Sequence, residues 1–277
     1  MHSGYPGEPP AQEAEPRQDP YVDQCTESLL AFFREHRDEV FYMKQLEVLW
    51  EKKYNHWITA RALSLLEGGE IRTVSKKVRE GIQPKFFFHR RNRYYRRAID
   101  KAAHTIGRYS EPVISRAIGS HAENLFLLAL LERGAQHQSR NSKEYGGKKW
   151  TDSDHDMDFI SEIGPLPYGF EVKNTWDYIE REEMWTKVDL CRHLGITPVF
   201  IVRAAPKTYI EQIRQAGGFT LVFETQVYEL GMQELAHEVR QELQMPVVAS
   251  AAIPDGIIQR FLGTENRNGG NQVILYS

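Results

Sequence analysis

Two short stretches near the middle of the chain carry side chains suited to phosphate chemistry. Asp156-Met157-Asp158 opens an apolar run, and Phe170-Glu171-Val172-Lys173 sits inside a second run a short way on. In an extended strand side chains alternate between faces, so Glu171 and Lys173 project together while Phe170 and Val172 point the other way. The intervening Gly164-Pro165-Leu166-Pro167-Tyr168-Gly169 has the composition of a turn, and a hairpin there puts an Asp, a Glu and a Lys on one surface. Two carboxylates can hold a hard divalent cation, and a nearby amine can orient or deprotonate a water and offset charge in a transition state. Glu-x-Lys alone arises by chance about once in a chain of this size. Its context gives it weight.

The elements that must position these groups follow from hydrophobic periodicity. Residues 1–20 are rich in Pro, Glu, Gln and Gly and are expected to be disordered. Helical spacing appears over 22–33, 42–54 and 56–67, the last stopped by Gly68-Gly69, and strands are expected at 71–74 and 85–89 around a basic turn. A helix over 94–107 leads to another, starting at Glu111 or at Ser120 and reaching Gly134, whose Leu125–Leu131 run must be buried. A strand over 135–139, a loop at 146–150 and the hairpin follow. Next come a helix over 177–194, a buried strand over 198–203, a helix over 209–215, a strand over 219–223 and a helix over 232–243.

The spacing Asp158, Glu171, Lys173, with helix, three strands, helix and strand around it, resembles the PD-(D/E)xK nuclease superfamily, which includes restriction endonucleases and Holliday-junction resolvases. The resemblance covers about residues 111–203. It implies an α/β, restriction-endonuclease-like mixed sheet flanked by helices, hydrolysis of DNA phosphodiester bonds by metal-assisted water attack, and Mg2+ as cofactor with Mn2+ able to substitute. It assigns Asp158 and Glu171 as metal carboxylates, the Val172 carbonyl as a further oxygen and Lys173 as the catalytic lysine. Asp156 is either a second ligand or part of a solvated acidic loop with Asp152 and Asp154. Glu123 is either a fourth member, as in resolvase-like and Mrr-like relatives, or a capping-box residue to Ser120. Asn174, Thr175 and Trp176 are placed to touch substrate or shape the pocket. Lys187 is either a phosphate contact or an ordinary exposed helical lysine. Glu171 stands where Mrr-like enzymes commonly carry Gln, which leaves the general motif intact and weakens assignment to that group.

In front of this core lies a cationic stretch holding Lys76, Lys77, Arg79, Lys85, Arg90, Arg91, Arg93, Arg96 and Arg97, against a net charge of only −3 for the chain. Charge separated in this way marks a polyanion-binding face. Three short helices and a basic two-stranded wing resemble a winged helix-turn-helix domain. The expected domains are therefore 21–97, a winged-helix-like nucleic-acid-binding unit; 98–110, a linker helix; and 111–277, the nuclease unit. Interleaved aromatics there either anchor the wing or stack on bases. The expected partner is DNA, duplex or branched, with a homodimer as the simplest way to cut two strands. A non-catalytic DNA-binding scaffold, an RNA-directed nuclease, and a subunit of a larger DNA-processing complex are the rival readings.

The 277 residues, 41% hydrophobic and 26% charged, suffice for a well-buried core. No apolar stretch is long enough for a membrane span, no secretory pattern opens the chain, and Cys25 and Cys191 have no zinc or paired-thiol spacing. A reducing, cytoplasmic setting without a membrane is the expectation.

Overall fold

The computed structural model describes residues 19–265; the tail expected over 1–20 lies outside that span except for Asp19 and Pro20. Those two residues start helix α1 (Pro20–Glu35). Asp19 accepts a hydrogen bond from the Tyr21 N–H, and Pro20 occupies the first turn, where no N–H is required. Strand β1 (Val40–Tyr42), helices α2 (Met43–Trp50) and α3 (His56–Leu66), and strands β2 (Ile71–Ser75) and β3 (Lys85–His89) follow. The strands form an antiparallel sheet in the order β1-β3-β2. Three residues are too few for β1 to show alternation, and pairing with Phe86–Phe88 creates it.

Helix α4 (Tyr95–Tyr109) leads to α5 (Pro112–Leu131), a single helix with Glu111 at its N-cap, so the start at Ser120 is excluded. Strand β4 (Gln136–Ser142) precedes a small hairpin, β5 (Glu144–Tyr145) and β6 (Lys148–Lys149). Only a loop is expected there from sequence, yet Gly146 and Gly147 take φ of 58° and 80°, as a two-residue hairpin turn demands. The expected hairpin is β7 (Met157–Ile163) and β8 (Leu166–Lys173). Helix α6 (Arg181–Leu194) begins four residues later than periodicity suggests, and just ahead of it Arg203 holds the Thr175 and Trp176 carbonyls. Then come β9 (Thr197–Val202), α7 (Lys207–Gln215), β10 (Phe219–Val222), β11 (Gln226–Tyr228), α8 (Gln233–Leu243), β12 (Val247–Ala249) and α9 (Asp255–Glu265). The β11-β12 pair and α9 have no counterpart in the sequence reading.

The main sheet runs β10-β9-β8-β7-β4, parallel from β8 through β10, with β7 antiparallel to both its neighbours. One face packs on α5 and α9 through Phe126, Leu130, Phe159, Phe170, Ile258 and Phe261. The other meets α6 and α7. Gly169 allows α6 to approach: a Cβ there would stand 2.9 Å from both the Cys191 sulfur and the Ile196 Cδ1.

The three phenylalanines of β3 divide by alternation. Phe87 enters the core of α1–α3, while Phe86 and Phe88 join Ile106 of α4, Trp176, Tyr228 and Val239 of α8. The expected linker 98–110 is thus no free joint; a shared apolar core crosses it. No helix among the described residues is long and apolar enough to cross a membrane.

Candidate active site

Phe159 lies opposite Phe170 in the β7-β8 register, their rings stacked at 4.7 Å between centroids, which sets the parity of both strands. Asp158, Glu171 and Lys173 consequently fall on the opposite parity. Asp158 does not continue the ladder. Its Oδ2 accepts a hydrogen bond from the Val172 N–H at 2.6 Å, which ties the head of β7 to the end of β8.

Helix α6 supplies the remaining charges. Glu183 and Lys187, one helical turn apart, face Lys173 and Glu171, two residues apart on the strand. The result is a chain of alternating charge. Glu183 Oε1 lies 2.8 Å from Lys173 Nζ, which lies 3.0 Å from Glu171 Oε1, and Lys187 Nζ donates to Glu171 Oε2. Lys187 also donates to the Asp156 carbonyl at 2.8 Å. Glu171 is 1% exposed and Lys187 5%, so the inner half of this chain is buried, while Lys173 and Glu183 lie half-buried at its outer end. The sequence alone does not reveal it, because Glu183-x-x-x-Lys187 is indistinguishable from a solvated pair until α6 is seated over Gly169.

The electrostatics single out Asp158. Burial first, and then the Glu171 charge, push its pKa up to about 7, against the Val172 N–H and Lys187. It forms no ion pair among the described residues. Burial opposes the Lys173 ammonium, but Glu171 and Glu183 more than offset it and hold the pKa above the ordinary lysine range. Lys173 is therefore a fixed cation in this arrangement rather than a base ready to take a proton.

Glu123 sits well inside α5, so the capping-box alternative fails. Its carboxylate is 3.6 Å from Arg140, which also donates to Asn124 at 2.7 Å. Burial raises its pKa, with Arg140 opposing, and it lies within electrostatic reach of Asp158, Glu171, Lys173 and Lys187. Asp156 precedes β7 and meets the network through its backbone carbonyl. Asp154 is exposed and pairs with Lys143 at 3.5 Å, as a solvated loop residue does. Asn174 and Trp176 are buried and turned into the protein, while Thr175 is exposed.

The cationic stretch divides in two. Lys76 and Lys85 are paired, with Asp100 and Glu67. Arg79 is half-buried, its Nε enclosed without a hydrogen-bond partner. Lys77, Arg90, Arg91, Arg93, Arg96 and Arg97 are exposed, and none makes an ion pair with a carboxylate among the described residues. Phe86, Phe87 and Phe88 are buried, so of the two roles open to the aromatics they anchor the strand and do not stack on bases. Tyr94, 80% exposed among these arginines, can.

The oxygen chemistry of the site is of the kind a small, hard cation takes. Asp158 and Glu171, on adjacent strands, carry hard oxygen donors, with burial and the Glu171 charge raising the Asp158 pKa to about 7, while Lys173 and Lys187 already engage both Glu171 oxygens. Among the described residues no three His, Cys, Asp or Glu side chains form a ready metal-binding cluster. Compared with family models, curated proteins and solved structures, the chain finds no match.

Proposed function

We propose that the chain is a Mg2+-dependent endonuclease that hydrolyses DNA phosphodiester bonds, with a restriction-endonuclease-like core and an amino-terminal unit of winged-helix type. The observation that carries this reading is the meeting of Asp158, Glu171 and Lys173 at neighbouring strand ends, with burial and the Glu171 charge raising the Asp158 pKa to about 7. Asp158 and Glu171, with the Val172 carbonyl, would hold Mg2+ or Mn2+, which when bound supplies Lewis acidity and lowers the pKa of a water. Lys173 contributes positive charge beside the carboxylates, where negative charge on a reacting phosphate would grow. Lys187 fixes Glu171 and the approach to β7. The arginines of 90–97 offset the repulsion between the site's carboxylates and a polyanion, and the order α1-β1-α2-α3-β2-β3 with its β1-β3-β2 sheet supports the winged-helix assignment.

One observation favours a second reading, a DNA-binding protein whose nuclease-like core serves as a scaffold: both oxygens of Glu171 are already engaged by lysines. Supercoiled plasmid with Mg2+ separates the two. Nicking by wild type and not by Lys173→Ala or Asp158→Asn, with DNA binding retained in both variants, is the expected result. Binding without cleavage across duplex, branched and single-stranded substrates and both metals supports the scaffold, and equal nicking by all three proteins removes these residues from any catalytic role.

A further inference from the structure

The segment 174–180 joins β8 to α6, and so joins Lys173 to the helix bearing Glu183 and Lys187. It has no helical or strand pairing of its own, and side chains from three directions hold it. Asn174, 2% exposed, donates to the Ile118 and Val227 carbonyls at 3.0 and 2.7 Å and accepts from the Val227 N–H at 2.9 Å. Arg203, 1% exposed just beyond β9, donates to the Thr175 carbonyl at 2.9 Å and the Trp176 carbonyl at 3.2 Å. Its guanidinium lies 5.1 Å from the centre of the Trp176 ring, and its backbone N–H donates to the Lys173 carbonyl at 3.0 Å.

The third direction is the amino-terminal unit. Glu51, just past α2, takes both ends of the Arg203 guanidinium at 2.6 and 2.7 Å. Lys44 reaches Asp177 at 2.5 Å, and the His56 ring stacks on Tyr178 at 3.9 Å. A buried guanidinium stripped of its carboxylate is an uncompensated charge that draws in water or moves. Glu51 is thus the condition on which Arg203 keeps hold of two carbonyls of the segment.

We infer that Glu51 and Arg203 form a positioning pair, through which the amino-terminal unit fixes segment 174–180 and with it the placement of Lys173 and Lys187 about Glu171. The consequence for rate rests on the nuclease reading; the mechanical coupling does not. Displacement of a site by about 1 Å from a distant change can cost about 100-fold in rate.

The test uses the full chain and three variants. Glu51→Gln removes the charge, Lys44→Gln frees Asp177 and also takes the lysine from buried Glu47, and Lys52→Ala deletes the Lys52–Glu224 pair, which spans the same two units at 2.9 Å but does not touch the segment. Amide hydrogen exchange over 174–180 is measured alongside the nicking rate at saturating plasmid and the Kd for DNA. Glu51→Gln is expected to speed exchange there at least about tenfold. It should slow saturated nicking by about 10–100-fold while Kd stays within about twofold. Lys44→Gln moves both readouts the same way but less, Glu51→Asp recovers part of the loss, and Lys52→Ala changes neither. Unaltered exchange in Glu51→Gln, or equal effects from Lys52→Ala, overturns the inference. Should Glu51→Gln fail to fold, Lys44→Gln decides by the same exchange comparison. A wild type that never nicks sinks the nuclease reading alone, because exchange still reports on the pair.

Discussion

Two groups of basic residues in this protein do opposite things with the same chemistry. The arginines of 90–97, in the turn after β3 and the first turn of α4, are exposed and make no ion pair with a carboxylate among the described residues, and Tyr94 stands exposed among them. Lys173, Lys187 and Arg203 are drawn into the fold and each is met by a carboxylate. Exposed, unpaired cations cost the fold little and project a long-range field, which suits capture of a polyanion. Buried cations cost much to desolvate and persist only where partners compensate them, which suits fixed geometry. On the proposed reading, attraction and alignment therefore fall to separate regions of the molecule.

The contrast is tested most severely by removing a buried cation. Lys187→Met leaves Glu171 with a single partner and should lower the unfolding free energy by about 3–5 kcal/mol, whereas Arg91→Ala should change it by less than about 0.5 kcal/mol. Urea titrations of the two variants compare them directly, and similar losses would erase the distinction. Adding Glu171→Leu to Lys187→Met should recover most of the stability.

Next in size, replacing Arg90, Arg91, Arg93, Arg96 and Arg97 together by Ala should weaken duplex binding about 100-fold or more. It should also flatten the dependence of log K on log salt by about 4. Fluorescence anisotropy at several salt concentrations reads both, and an unchanged slope would show that these arginines do not meet phosphate.

Asp158 gives a pH-dependent test. The folded protein holds this proton more tightly than the unfolded chain, with a pKa of about 7 against the ordinary value of about 4. Its contribution to stability is therefore complete below about pH 4 and is lost as pH rises towards 7. Asp158→Asn keeps an oxygen for the Val172 N–H but cannot ionise. It should be more stable than wild type at pH 8 by about 2 kcal/mol, after discounting for solvent screening, and about equal near pH 4. Mg2+ should narrow the gap at pH 8 by binding wild type. Thermal melts with the same difference at both pH values would refute the assignment. The smallest effect belongs to Tyr94→Ala, expected to cost about 1 kcal/mol of single-strand binding with no change in melting temperature; a drop in the melting temperature would mean that the ring packs rather than stacks.

Legibility from sequence followed locality. The β7-β8 hairpin and the Glu171–Lys173 parity are visible because a strand's alternation is local and its turn is marked by Gly and Pro. Helix α5 is visible because Leu125–Leu131 is apolar throughout, but the expected burial of the whole run is corrected. Leu125, Phe126, Leu127, Ala129 and Leu130 are buried, whereas Leu128 and Leu131 stay exposed on the outer face. Glu123 stayed ambiguous until the helix start was known, since Ser120-x-x-Glu123 caps only a helix that begins there. Strand β1 and the β11-β12 pair are too short for any period to register and form because a neighbouring edge accepts them. The irregular 174–180 carries helix-compatible residues, and the partners that hold its first residues, Arg203 and Val227, lie far off in the sequence.

By itself the sequence determined which residue types were available: an Asp, a Glu and a Lys at hairpin spacing, and a run of arginines that no local acid balances. Only the tertiary structure decided which charges became buried partners. The packing of α6 over Gly169 brought Lys187 and Glu183 to the strand, and the shared core placed Glu51 against Arg203. Burial and charge compensation depend on what arrives from elsewhere in the chain, and no local pattern carries that information.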